Sequence, residues 1–287
     1  MRFLAELAMK RPVNALVICA ISAALPLTFW LAAAIVGLVT LRKGQTEGIK
    51  VLSGAILGII VGAILTGTFV AYVAVMLMCP VSVVLALVLR NTQSWAWTLV
   101  TASACGILLA LTATVVLAEP FKAINQELIS MMQQSGQQGG LYEQLILSLT
   151  AHNALPVLMA GGSVDMSVLS LILARYWQSA LFNPGGFRAE FHALRLQPWM
   201  VLTLIIAAGL ISLWTMFALE PVLMPLLIAG TALIHGLVAK KELGGVWITV
   251  FYIALLLFTP YVLPLLLLMA MADAWIDFRA RIRPSSN

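Results

Sequence analysis

Charge is confined to short intervals of this chain, and the intervals are separated by apolar stretches long enough to cross a bilayer. A hydrocarbon core about 30 Å thick needs roughly 20 apolar residues in a helix that rises about 1.5 Å per residue. Residues 49–66, 69–89, 95–118, 164–182, 199–219 and 222–239 meet that requirement. A chain of 287 residues that is 62% hydrophobic and 9% charged has too little charge to coat a water-soluble globule, which excludes a cytosolic enzyme. The net charge of +5 is no nucleic-acid footprint either, because the basic residues sit at the ends of apolar runs and not along one exposed face. The expected fold class is all-α: a polytopic transmembrane helical bundle that forms one integral membrane domain over residues 1–287.

Two further stretches do not fit a single upright span. Residues 13–41 are apolar almost throughout and would make a helix of about 43 Å. Pro26 lies near the middle of that stretch, and Pro260 and Pro264 lie near the middle of the longer stretch 246–277. Proline removes a backbone donor and clashes with the preceding turn, so each stretch is a kinked crossing or a hairpin of two short helices. The tendency of Lys and Arg to collect in cytoplasmic loops decides between them. With Arg42, Lys43 and Lys50 inside, the six spans also bring Arg90, Arg188, Arg195, Lys240 and Lys241 inside. Hairpins add both basic ends, Arg2, Lys10 and Arg11 at one and Arg279, Arg281 and Arg283 at the other. Only Lys122 is then external, with Arg175 inside a span. The expectation is six full spans flanked by two Pro-broken, hairpin-like elements, with both termini cytoplasmic.

Trp95, Trp97, Trp199, Trp247 and Trp275 all fall near the expected cytoplasmic ends, where an amphipathic ring prefers to lie. Apolar character that continues to Leu41 argues for a retained anchor over a cleaved secretion signal. Gly54, Gly58 and Gly62 form one small-residue ladder, and Ala102, Gly106, Ala110 and Thr114 form another. Such ladders mark close helix packing, within the chain or at a seam with a partner. Cys19, Cys79 and Cys105 have no metal-like spacing and read as small buried hydrophobes.

The segment 119–163 reads as an outward amphipathic cap. Phe121, Ile124, Leu128 and Met131 follow helical spacing, residues 135–140 form a flexible break, and a second helical stretch runs from Leu141 towards Pro156. Gly161, Gly162 and Ser163 punctuate the chain before Asp165, with Ser163 as expected N-cap and Asp165 favourably placed in a first helical turn. The sharper reading is a polar ligand site beneath the cap built from His152, Asn153, Asp165 and Glu220. Arg175 lies about 10 Å inside its span, a depth at which a cation snorkels, finds a partner or serves a function. His235 reads as a neutral interfacial residue, and Asp273 and Asp277 as surface partners of Arg279, Arg281 or Arg283.

The inward loop 183–198 is the most distinctive. Asn183, Pro184, Gly185 and Gly186 turn the chain, after which Phe187, Phe191 and Leu194 recur at helical spacing beside Arg188, His192 and Arg195. A greasy face next to a basic one suits a helix lying in the cytoplasmic interface, with Arg188 and Arg195 placed to meet lipid phosphate. The alternative is a docking surface for a protein partner. Glu190 and His192 are two residues apart and point in different directions, so they make no catalytic dyad.

The L-V-T-L-R-K-G run at residues 38–44 and the A-R-Y-W-Q-S-A-L-F-N-P-G-G-F-R-A-E-F-H-A-L-R-L run at 174–196 resemble the YybS-like family of bacterial membrane proteins, a domain of unknown function. The resemblance implies a bacterial inner-membrane protein with no catalytic residues to carry over. It also implies a distant architectural similarity to the substrate-binding subunits of energy-coupling-factor transporters, whose Ala-x-x-x-Ala docking pattern Ala20 and Ala24 would match. The leading functional expectation is an inner-membrane protein that binds a small molecule or lipid as part of a transport system. The alternative is a scaffold that docks a partner through residues 183–196. No hydrolase, zincin, phosphate-loop or paired intramembrane aspartate motif is present, and neither cofactor nor metal is expected. The expected partners are the lipid bilayer, a small molecule and a membrane or cytosolic protein, not nucleic acid.

Overall fold

The computed structural model describes residues 2–134, 140–151 and 154–282. Its elements, in chain order, are α1 (Arg2–Lys10), α2 (Pro12–Ala24), α3 (Phe29–Lys43), α4 (Gln45–Thr66), α5 (Val73–Thr92), α6 (Trp95–Val116), α7 (Ala118–Gln134), α8 (Leu141–Ala151), α9 (Ala154–Phe182), α10 (Gly186–Ala193), α11 (Pro198–Ser212), α12 (Glu220–Lys240), α13 (Gly245–Leu257), α14 (Thr259–Ile276) and α15 (Phe278–Arg281). Short 3-10 turns precede α5 and α12. The chain is 89% helical, without strands among the described residues, as the apolar periodicity requires. Among the described residues, six helices are long and apolar enough to cross a membrane: α4, α5 with its preceding turn, α6, α9, α12 and α14.

Both Pro-broken ends fold as hairpins. In the first, α2 and α3 are joined by residues 25–28, where Pro26 sits in the turn and the Thr28 hydroxyl donates to Ser22 O at 3.2 Å. Lys10 ahead of α2 and Arg42 and Lys43 at the end of α3 line one cavity, so the arms return to the same end of the bundle. In the second, α13 and α14 meet at Phe258, and Pro260 occupies the first turn of α14, where a missing N–H costs nothing. Gly230 of α12 packs on Leu266 of α14, and the Lys240 ammonium donates to Arg279 O at 2.5 Å. The two helices therefore run parallel, and α13 must return between them. Unlike α13, α14 is long enough to count as a span in its own right.

Two boundaries differ from expectation. The stretch 199–219 does not stay helical: α11 ends at Ser212 after 15 residues, about 22 Å by the helix rise. Thr215 then accepts from Phe217 N and starts a separate 3-10 turn. Leu213, Trp214, Met216 and Phe217 keep hydropathy high across that break, which hid it. Only together with α10, from which it is bent by 69°, does α11 have the composition and length of a span. At the other boundary, Ser163 is no cap. Helix α9 is continuous over 29 residues, and the Ser163 hydroxyl donates back to Met159 O within it. Gly161 serves packing instead, since it lies against Glu220 and Pro221, whereas a Cβ on Gly162 would meet nothing.

The core forms where α9 crosses α3, α5 and α6 and where α2 lies along α4. Small residues allow the close approaches. Gly54 would bring a Cβ within 2.7 Å of Leu16 O, Gly58 lies directly on the backbone of Ala20, and Gly106 sits on Pro221. The ladders are therefore intramolecular seams. Ala20 and Ala24 are engaged in one of them, Ala24 O accepting from the Tyr72 hydroxyl at 3.0 Å. Helix α7 covers the opposite end of the bundle, with Phe121 buried beside Val73, Ala113, Leu117 and Ala160.

Candidate functional site

The cations of the basic end differ in what they hold. Arg175, inside α9, forms a two-point ion pair with Glu190 of α10: Nε donates to Oε2 at 2.9 Å and Nη2 to Oε1, while Nη1 donates to Gln178 Oε1 at 2.6 Å. Its side chain is mostly shielded, and this pairing removes the need to snorkel. Arg195 is also engaged, against the expectation that it meets lipid phosphate. Its guanidinium donates to Asp273 O and Ala274 O, each at 2.9 Å, and to Asp277 Oδ2 at 3.0 Å. A fork of donors that finds three acceptors at a helix C-terminus is better satisfied there than in water. Arg279 completes the clamp by donating to Asp273 Oδ2 at 2.8 Å and to Leu194 O at 2.9 Å. Asp273 is buried, not a surface residue.

These bonds turn α10 into part of the bundle. The backbone N–H of Phe187 donates to the Ser179 hydroxyl at 3.0 Å. The Phe187 ring packs edge-on against Trp95 and Tyr176 and stacks on Phe191, and Phe191 meets His235 of α12 edge-on. The greasy face thus points inward. Asn183 sits in the exposed turn, where its carbonyl accepts from Gly186 N at 3.0 Å.

Arg188, on the same helix as Glu190, differs from these three arginines. It is exposed and makes no hydrogen bond or ion pair among the described residues. It borders a groove of about 390 Å³ between α10, the end of α12 and the start of α13, together with His192, His235, Val238, Ala239, Glu242, Gly244, Gly245 and Ile248. The groove has one guanidinium, two imidazoles and one carboxylate around an aliphatic wall. His235 shares a hydrogen bond of 3.0 Å with the Tyr252 hydroxyl, and its ring lies 6.3 Å from that of His192. Burial, and after it the charge of Arg188, holds the His192 imidazole below its ordinary value of 6.5, so the uncharged ring is favoured. Gly244 gives α13 no side-chain cap, which leaves its first N–H groups open at the groove edge.

At the opposite end, two of the four residues expected beneath the cap lie close to each other. Asp165 and Glu220 come together: Glu220 packs on Gly161, one turn ahead of Asp165, and the two carboxyl groups interact. Asp165 Oδ1 is buried without a hydrogen-bond partner among the described residues. Neither carboxylate lines the groove beside Arg188. His152 and Asn153 lie outside the described residues, as do residues 135–139 of the expected break and Arg283. Among the described residues no group of three or more His, Cys, Asp or Glu side chains is placed to hold a metal ion.

The pairing of Arg175 with Glu190 had a sequence signal, because Glu190 is the sole acidic residue between Asp165 and Glu220. The groove had none, since His235 lies near the end of α12 and Glu242 and Gly244 in the turn after it, which together read as an ordinary helix end. Compared with known protein families, with curated proteins and with solved structures, the chain matches none.

Proposed function

We propose that this multi-pass membrane protein resides in a bacterial inner membrane with its basic face towards the cytoplasm, and that it binds a phosphate- or carboxylate-bearing molecule in the groove beside Arg188. The observation that carries the reading is the contrast among arginines. Arg175, Arg195 and Arg279, around the ends of α9, α10 and α14, are held by carboxylates of the chain, whereas Arg188 beside them has no partner among the described residues and borders a cavity. An unpaired guanidinium next to open helix N–H groups suits an anion, and the aliphatic wall of Val238, Ala239 and Ile248 suits an attached alkyl part. The orientation rests on the charge asymmetry, since Lys122 is the sole basic residue at the capped end. Membership of the YybS-like family and a part in a transport system belong to the same proposal; the residues 174–196 support the first and ligand capture the second.

The test uses the full chain in nanodiscs that contain equal phosphatidylglycerol and phosphatidylcholine, with native mass spectrometry of the released complexes and a separate thermal-shift titration with inorganic phosphate. Wild type is expected to retain phosphatidylglycerol preferentially, or to be stabilised by phosphate, and Arg188→Gln to lose whichever effect is present. Equal behaviour of wild type and variant in both arms would overturn the proposal.

A further inference from the structure

Three helices end at one cavity of about 680 Å³ at the open end of the first hairpin. Helix α1 brings Lys10 to it, α3 brings Arg42 and Lys43, and α9 brings Leu181 and Phe182. None of the three cations has an ion-pair partner among the described residues. The carboxylate that lines the same cavity, Glu6, is already held by Arg2 at 2.9 Å.

Cations in a last helical turn ordinarily offset the carbonyls left there without donors. Here other groups serve those ends. Asn14 Nδ2 donates to Leu7 O of α1 at 3.0 Å, and Arg90 Nη1 donates to Thr40 O and Leu41 O of α3 at 3.3 and 3.0 Å. The Arg42 guanidinium lies over the ring of Phe182, 4.3 Å from its centroid. A guanidinium held by its face keeps its N–H donors free in the plane, so Arg42 is positioned without being used up.

Place and charge narrow the occupant. Ala5 and Ala8 of α1 are buried against the bundle, while Arg2 and Lys10 are exposed and Phe3 is 67% exposed, as suits a helix lying at headgroup level. Leu181 and Phe182 close the 29-residue span α9, so hydrocarbon begins beside the cations. A soluble anion would leave Met9, Leu181 and Phe182 without an apolar partner, whereas a phospholipid meets both sets of side chains. Three unpaired cations exceed what one phosphate neutralises. They also stand on two helices, so two linked phosphates can take one helix each. The volume lies within the roughly 300–1,000 Å³ of pockets that enclose a ligand of that size.

We propose that this cavity holds the headgroup of a two-phosphate membrane lipid of the diphosphatidylglycerol type, which ties α1 to the ends of α3 and α9. The site is separate from the groove beside Arg188 and does not depend on it.

The experiment uses the full chain, stripped of lipid in mild detergent and supplied in turn with cardiolipin, phosphatidylglycerol or phosphatidylcholine, with bound lipid read by native mass spectrometry. Wild type is expected to retain cardiolipin in preference to the other two. At roughly a fivefold loss for each cation, Arg42→Gln with Lys43→Gln is expected to weaken that retention about 25-fold, and Lys10→Gln, which tests the site from a separate helix, about fivefold. Lys50→Gln with Lys241→Gln, which removes the same charge outside the cavity, and Arg188→Gln are expected to leave it unchanged. Thermal melting in the same detergent confirms that each variant is folded. No cardiolipin on wild type, retention by the Arg42 and Lys43 variant equal to wild type, an equal loss in the charge-matched variant or in Arg188→Gln, phosphatidylglycerol held as tightly as cardiolipin, or displacement of cardiolipin by an equal concentration of pyrophosphate would each overturn the proposal.

Discussion

Neutralising Glu190 tests the reading of α10 as an integral part of the bundle. In Glu190→Gln the guanidinium of Arg175 keeps Gln178 but loses its carboxylate. Removing one partner of a buried pair costs about 3–5 kcal/mol because the other charge is left without compensation. Here Arg175 is 13% exposed and Glu190 32% exposed, so water reaches one side of the pair. Hydration and partial snorkelling of Arg175 reduce the cost to about 2–3 kcal/mol, or roughly 30- to 150-fold in the unfolding equilibrium. The assay is reversible unfolding in mixed micelles of mild detergent and dodecyl sulfate, followed by far-UV circular dichroism. Arg175→Met with Glu190→Leu provides the control: with both charges gone, stability is expected to return to within about 1 kcal/mol of wild type. Glu190→Gln that unfolds with wild type, or single costs that simply add in the double variant, would refute the reasoning.

Gly58→Leu should destabilise by about 3 kcal/mol or more in the same assay, because even a Cβ at this position meets the Ala20 backbone, whereas Gly67→Ala, whose Cβ meets nothing, should cost only its positive-φ strain of about 1 kcal/mol. Arg195→Ala removes the donor to Ala274 O and Asp277 Oδ2 and leaves Asp273 O with the Asp277 N–H alone, and should cost about 2–3 kcal/mol, with increased trypsin cleavage at Arg188 as α10 loosens. His192 gives a pH dependence. Its folded value is depressed below 6.5, so its contribution is fully present above that pH and is lost as pH falls from 6.5 through the folded value, where the unfolded chain takes a proton that the folded chain refuses. Melting temperature should therefore decline below about pH 6.5 in wild type and less steeply in His192→Gln; parallel curves would show that another group is responsible.

The bundle was largely legible because bilayer thickness imposes a length on every span and basic residues mark its ends. The hairpins followed from Pro26 and Pro260, whose place is a turn or a first helical turn. Hydropathy failed where a break kept its greasy side chains, after Ser212, and where glycines that punctuate soluble chains serve close packing, at Gly161. The site was less legible for a physical reason. Whether an arginine is free depends on which carbonyls lie within reach, and the acceptors of Arg195 are separated from it by 78 residues or more. Pattern alone placed Arg188 and Arg195 on one face and could not tell the engaged one from the open one.

The clamp on residues 194–195 sets an order for biogenesis. Its acceptors on α14 and its second arginine on α15 are made some 80 residues after the loop they hold, so during synthesis the inward loop is held by its contacts with α6, α9 and α12 alone until α14 has entered the lipid. A chain halted before Asp273 would contain every earlier crossing and still lack the clamp, and its inward loop is expected to be cut by added protease faster than that of a chain that includes α14 and α15.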